Sequence, residues 1–324
     1  MITMYIASKV QQTSDYTIQF MLKPKIIDCH THAYPDEVTS NPLEWANKHG
    51  EHHWAELVAP EGRKSIQGWS DPAQMLATMD SANVDEAILL GWYWTKESTC
   101  RWHNKVMAEW ISYAPDRFNG FASIYPNNNV IDQLETAKAL GFIGVGELHI
   151  GVQNYQESVT HWQCMAKWCA NLDWPINFHV TDTSIRLPPG AVSTSTETLI
   201  EIAKQEPRLK IILAHWGGRI AHLETNPYMR EILRNVYYDS AASPLIYDMS
   251  IFKQILEIVG PDKILFGSDY PLKIYPRFQK VPEMNRFINS IYNESGLSSK
   301  QIHGIMGENF NKLLPLRRTQ KKEI

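Results

Sequence analysis

The stretch that most constrains this chain is Lys25-Ile26-Ile27-Asp28-Cys29-His30-Thr31-His32, a short apolar run ending in two histidines two residues apart. Alternate side chains of a β-strand share a face, so His30 and His32 point the same way. Two adjacent imidazoles at a strand end make a poor core element and a good half of a metal site. A hydrogen-bonded histidine pair at a strand edge is the structural alternative, and the rest of the chain decides between the two.

Seven more short apolar runs follow, at 86–91, 118–125, 142–148, 175–180, 209–215, 236–240 and 263–269. Helical patterns separate them at 95–114, 129–140, 158–172, 196–205 and 251–259. This alternation predicts parallel β/α units, and eight of them predict an α/β chain closed into a (β/α)8 TIM barrel. An open doubly wound sheet is the competing fold, weakened by the lack of a Gly-x-Gly-x-x-Gly turn after the first strand. Asp71-Pro72-Ala73-Gln74 carries an N-cap, a proline at the first helical position and a capping-box glutamine. Met75, Leu76 and Met79 then form the buried stripe of that helix.

Residues 33–70, between the first strand and this helix, hold Trp45, His49, His52, His53, Trp54, Arg63 and Trp69. A connection this long is either functional or disordered, and its tryptophans argue against disorder. It is expected to be a long inserted loop with helical pieces folded over one end of the barrel. Residues 23–315 are expected to form one domain, flanked by a poorly ordered extension at 1–22 and a charged tail at 316–324.

The formal charge of −4 over 324 residues, with no basic block in the body, gives nucleic-acid binding no electrostatic support. Lys9, Gln11, Gln12 and Asp15 interrupt the first 22 residues, so they read as neither signal peptide nor membrane span. Cys29, Cys100, Cys164 and Cys169 form no Cys-x-x-Cys pair, which fits a reducing, cytoplasmic compartment.

Polar residues close the strands: His30 and His32 the first, Glu147 the fourth, His179 the fifth, His215 the sixth and Asp269 the eighth. In a barrel the C-terminal strand ends share one mouth, so these six residues converge. Histidines, carboxylates and water are the ligand set of zinc or a similar divalent ion with an open position for substrate. Each alone has a structural explanation: Asp269 capping a turn, His215 satisfying a carbonyl, Glu147 pairing with a basic neighbour. Six together point to a shared site.

Five stretches carry a resemblance to a known family. They are Ile27-Asp28-Cys29-His30-Thr31-His32, Ala114-Pro115-Asp116-Arg117-Phe118, Phe178-His179-Val180, Ile212-Leu213-Ala214-His215-Trp216-Gly217-Gly218 and Ile264-Leu265-Phe266-Gly267-Ser268-Asp269-Tyr270-Pro271. In this order the chain resembles the amidohydrolase superfamily, specifically the amidohydrolase-related branch that includes aminocarboxymuconate-semialdehyde decarboxylase. The resemblance implies a barrel with one or two metal ions that hydrolyses an amide, ester or lactone, or decarboxylates an acid without oxidation.

The fourth strand, Gly144-Val145-Gly146-Glu147-Leu148-His149, departs from the decarboxylase-like pattern. Glu147 resembles the glutamate that bridges two ions in dinuclear members. His30, His32 and Asp269 then hold one ion, His179 and His215 a second, and Glu147 both. The mononuclear alternative uses His30, His32, His179 and Asp269 and leaves His215 free for catalysis, so the ion count stays open. By either route Asp269 is the expected base that takes the water proton and delivers it to the leaving group. A free His215 would steer the water or stabilise the oxyanion.

Arg63, Trp69 and Trp94, with Trp92 and Tyr93, are the candidate substrate contacts: an arginine clamps a carboxylate and aromatic walls suit a ring. Arg186 and Arg219 are further candidate cations. The expected partner is a small molecule, and family habit adds a homodimer. Hydrolysis is the first reading and carboxy-lyase chemistry the second. A phosphodiesterase or nuclease is third, disfavoured by the acidic balance, and a non-catalytic metal-bound scaffold is the reading from another class.

Overall fold

A computed structural model of the chain describes residues 24–182, 187 and 189–314. The expected extension at 1–22, the tail at 316–324 and the candidate Arg186 lie outside the described residues. Eight parallel strands pair in sequence order: β1 (Ile27–Thr31), β2 (Glu86–Leu90), β3 (Phe118–Ala122), β4 (Gly144–Leu148), β5 (Ile176–Phe178), β6 (Ile211–Leu213), β7 (Val236–Asp239) and β8 (Ile264–Leu265). The Cys29 N–H donates to the Phe266 carbonyl and the Asp269 N–H to the His30 carbonyl, both at 2.9 Å. These bonds join the last strand to the first, and the fold is the expected (β/α)8 barrel.

Alternation of side chains along each strand sorts the apolar residues into two layers. Ile27, Cys29, Ile88, Leu90, Phe121 and Leu265 fill the barrel interior together with Phe310 and Leu313. Ala87, Leu89, Phe118 and Leu213 face outward onto the helices, where Met79, Met107, Leu134 and Phe252 meet them. Burying each large side chain is worth ~1.5–3 kcal/mol.

Residues 33–70 cover the barrel mouth with three short helices, α1 (Asp36–Thr39), α2 (Pro42–His49) and α3 (His52–Val58). Their tryptophans do not float in a loop. Tyr34, Trp45, Trp54 and Trp94 build a second buried cluster that fixes this layer. Helix α4 (Pro72–Ala82) begins with the capping box read from the sequence: the Asp71 carboxylate accepts from the Gln74 N–H at 2.8 Å, and the Gln74 side chain accepts from the Asp71 N–H at 3.2 Å.

Strands β5, β6 and β8 stop short of the apolar runs that predict them, leaving His179, His215 and Asp269 just beyond their ends. The backbone gives the reason for two of these. His215 and Asp269 have φ of 55° and 67°, left-handed values that cannot continue a ladder. Among the described residues no helix is long and apolar enough to cross a membrane, and all four cysteines are unpaired.

The capping box gives a stability expectation. Asp71→Ala removes one acceptor from the first turn of α4 and is expected to lower stability by about 1 kcal/mol. The shift of the urea unfolding midpoint at constant slope measures it.

Candidate metal centre

Two irregularities in the sheet aim the donors. Asp28 pairs with Ala87 but Thr31 with Leu89, so β1 gains a residue on β2 across Cys29 and His30. Val145 pairs with Ile176 and Leu148 with Phe178, so β4 gains one on β5 across Gly146 and Glu147. Extra residues of this kind re-aim a side chain, and here each slip carries a metal-donor candidate. Gly146 permits the second slip: its φ is 139°, and a Cβ there would lie 2.7 Å from the Asn177 carbonyl oxygen. Gly267 serves the first, since a Cβ at that position would meet the His30 Cβ at 2.7 Å.

All six strand-end residues converge. Their donor atoms form two triads, His30 with His32 and Asp269, and Glu147 with His179 and His215. The Asp269 Oδ1 lies 3.4 Å from the His32 Nε2 and 3.8 Å from the His30 Nε2. The Glu147 Oε1 is 2.8 Å from the His179 Nδ1, 3.7 Å from the His215 Nε2 and 3.8 Å from the His30 Nε2. Its Oε2 is 3.9 Å from the His32 Nε2. Glu147 therefore sits where the two triads meet.

The outer nitrogens of three rings are committed elsewhere. The His30 Nδ1–H donates to the Asp239 Oδ2 at 2.9 Å, the His215 Nδ1–H to the Ala241 carbonyl at 3.0 Å and the His32 Nδ1–H to the Leu90 carbonyl at 3.3 Å. Each bond selects the tautomer whose Nε2 lone pair faces the mouth, as ligating histidines require. The His30 Nε2 is buried and has no hydrogen-bond partner among the described residues. An orphaned imidazole nitrogen between two carboxylates is what a cation site presents, and the residues fit a divalent ion.

Electrostatics agree. Burial alone would push the His30 imidazole down, but Asp239 and Glu147 outweigh it and raise its pKa from 6.5 to about 10. Burial would raise Asp269, yet the His32 hydrogen bond and the charges of His30 and His215 bring it to about 2. Burial opposes ionisation of Glu147 too, and His179 and His30 hold it well below the usual carboxylate range. The centre is an anionic pit that holds a proton on His30 until a cation replaces it.

A cavity of about 620 Å³ opens over the centre, with His32, Glu147, His179, His215 and Asp269 in its floor. Trp92 and Tyr93 line it, as do Ile66, Gln67 and His53 from the inserted segment. The three named substrate candidates lie elsewhere. Trp94 is fully buried in the second cluster, its indole N–H donating to the His103 Nδ1 at 3.0 Å. Trp69 packs edge-on against Tyr34, with ring centroids 5.4 Å apart. Arg63 is exposed, and its guanidinium donates to the Glu56 carbonyl at 2.7 Å and the Pro189 carbonyl at 3.4 Å. None of the three is among the described lining residues. Arg219 stands beside the cavity, its Nε 3.8 Å from the lining residue Asp182.

Sequence reasoning missed Asp239, His53 and His149. Asp239 closes β7 as Asp269 follows β8, so the same strand-end rule would have found it. His149 is two residues past Glu147; its Nδ1 accepts from the Gly151 N–H at 3.1 Å and its Nε2–H donates to the Val192 carbonyl at 3.2 Å. Burial first and His179 second lower its pKa to about 3, so it stays neutral.

Barrel, donor set and cavity together define a metal-dependent TIM-barrel enzyme. The chain belongs to the amidohydrolase family, whose model, described as Amidohydrolase, matches residues 27–316. It is similar to 4-sulfomuconolactone hydrolase of Hydrogenophaga intermedia, 24% identical over 221 residues that make up 65% of this chain and 69% of that protein. Its fold is similar to 5-carboxyvanillate decarboxylase of Novosphingobium aromaticivorans, complexed with manganese, at a TM-score of 0.66 and 15% identity over 89% of this chain and 95% of that one. The 2,6-dihydroxybenzoate decarboxylase of Rhizobium shares the fold at a TM-score of 0.60 and 18% identity, over 90% and 98% of the two chains.

Two outcomes are expected. Asp239→Asn is expected to weaken metal binding ~10–100-fold, as loss of a ligand-orienting carboxylate does, read by competition with a chromogenic chelator. Metal uptake at pH 7 is expected to release protons. His30 in the metal-free centre, with its pKa raised to about 10, is protonated there and must give up its Nε2 proton to ligate. Affinity therefore rises with pH, and calorimetry in buffers of different ionisation enthalpy counts the protons.

Proposed function

We propose that the protein is a hydrolase that cleaves an ester, lactone or amide bond of a small molecule with a ring or alkyl body. The observation that carries this reading is Glu147, an ionised carboxylate at the meeting point of the two donor triads. A divalent ion, zinc by preference for this histidine-rich set, would acidify a bound water and polarise the scissile carbonyl. His30, His32 and Asp269 would hold it on one side, and Glu147, His179 and His215 on the other.

Asp269 has the attributes of the proton carrier. It lines the cavity floor, it is ionised well below neutrality, and its Oδ1 lies within 4 Å of two imidazoles. It therefore starts the cycle as a base, accepts the proton of the attacking water and returns it to the departing oxygen or nitrogen. His215 is fixed by its bond to Ala241 and presents the Nε2 toward the developing oxyanion or the second triad. The apolar walls, Leu57, Val58, Ile66, Leu245 and Leu272 among them, take the body of the substrate and keep bulk water from the site. Four unpaired cysteines support work in a reducing compartment.

Decarboxylation is the second reading, supported by the family's breadth. It needs a proton donor for the carbon left behind, and the depressed pKa of Asp269 speaks for a base instead.

The two reactions separate in one experiment. Metal-loaded protein is expected to hydrolyse aryl lactones such as dihydrocoumarin and to release no carbon dioxide from 2,6-dihydroxybenzoate or 5-carboxyvanillate. Carbon dioxide release without lactone turnover would overturn the hydrolytic reading. Asp269→Asn, with metal content verified by elemental analysis, is expected to lose ~10²–10⁴ in kcat, and full turnover in that variant would remove Asp269 from the proton path.

A further inference from the structure

His53 stands in the cavity wall with an unanswered hydrogen-bonding demand. It lies on α3, in the layer that the inserted segment folds over the mouth, and it lines the cavity. Both ring nitrogens are buried, and neither has a hydrogen-bond partner among the described residues. The Gly190 backbone is near enough to favour a proton on the ring, yet it does not meet hydrogen-bond geometry. A neutral imidazole always carries one donor and one acceptor, and burying either unmatched is unfavourable. Every other cavity histidine is accounted for: His32, His179 and His215 by the centre, His149 by Gly151 and Val192.

The surroundings restrict what can answer that demand. The His53 ring lies 5.9 Å from the Tyr93 ring, which lies 5.2 Å from the ring of His179, so His53 is one aromatic ring removed from the donor set. Leu57 and Val58, from the same helix, line the cavity beside it. Burial lowers the His53 pKa and the nearby Glu56 only partly offsets this, so the ring is uncharged at neutral pH. An uncharged imidazole in an apolar wall recognises an uncharged oxygen better than a carboxylate.

We propose that His53 is a substrate-recognition residue, whose ring hydrogen-bonds a neutral oxygen (hydroxyl, ether or carbonyl) on the non-reacting end of the substrate. The preferred substrate is then an apolar ring or chain bearing one such oxygen away from the scissile bond. The proposal rests on the reading that this cavity is the substrate site, and it refines the substrate class of that reading.

The test uses metal-loaded full-length protein and rigid fluorescent probes that differ by one oxygen, coumarin against 5-, 6- and 7-hydroxycoumarin. In wild type at least one hydroxycoumarin is expected to bind tenfold or more tightly than coumarin. In His53→Phe that ratio is expected to fall below threefold, and His53→Gln, which keeps a donor and an acceptor, is expected to recover part of it. Metal content equal to wild type shows that the centre is intact, and His53→Gln carries the comparison if the phenylalanine variant fails to fold. A ratio that survives in the variant, no hydroxyl preference in wild type, or metal lost from both variants would each overturn the proposal. Turnover of dihydrocoumarin is measured separately. Its absence alongside an intact, His53-dependent binding preference counts against hydrolysis and leaves the recognition role standing.

Discussion

A single buried carboxylate holds the centre together. Asp239, fully buried at the end of β7, accepts hydrogen bonds from the His215 N–H at 3.1 Å and the Ala241 N–H at 3.0 Å on one oxygen. Its other oxygen takes the His30 Nδ1–H at 2.9 Å and the Asn177 side-chain amide at 3.1 Å. Three of these bonds tie β1, β5 and the turn after β6 to the end of β7. A carboxylate taken out of water costs several kcal/mol unless it is paired and fully hydrogen-bonded. Here the cost is met by those donors, the His30 imidazole among them. The His30 tautomer, the left-handed turn at His215 and the reach of the first strand toward the sixth all follow from this one group.

The backbone around the mouth is irregular for the same purpose. A regular parallel ladder spaces inward side chains evenly and directs them at the barrel core. Slips at His30 and Glu147, together with positive φ at His215 and Asp269, bring the donors of each triad to within 4.8 Å of one another at the end of the barrel instead. Left-handed non-glycine residues are unfavourable and persist where the surroundings over-determine them. Local regularity is given up at the points where the six side chains must meet, while the apolar layers below remain ordinary.

That contrast explains what was legible in the sequence. The eight strands, the main helices and the capping box at Asp71 follow from periodicity and end signals, which are local. The six donors were legible because each closes an apolar run, and topology did the rest. The exact strand ends were not, since the left-handed turns at His215 and Asp269 depend on contacts between distant strands. Asp239 looked like any other polar residue after Tyr237 and Tyr238, because its role lies in what it holds. In the inserted segment the tryptophans pack on one another, as large aromatics do when a layer needs its own core, and the cavity is lined by the less conspicuous Ile66, Gln67 and His53.

Charge balance bears on how many cations the centre holds. Glu147, Asp269 and Asp239 are three buried or nearly buried carboxylates within one hydrogen-bonded assembly, whereas burial raises the pKa of the fourth, Asp28, to about 7. Two histidines near the donor set, His103 and His149, are kept neutral by burial and add no charge. One divalent ion against three carboxylates leaves a net negative charge in a low-dielectric pocket, an unstable condition unless a proton or a second cation joins it. A proton on His30 would remove a ligand from the first triad, whereas a second cation uses Glu147, His179 and His215 as they already stand. Glu147 is the one donor that faces both triads, so the charge balance of the centre turns on it.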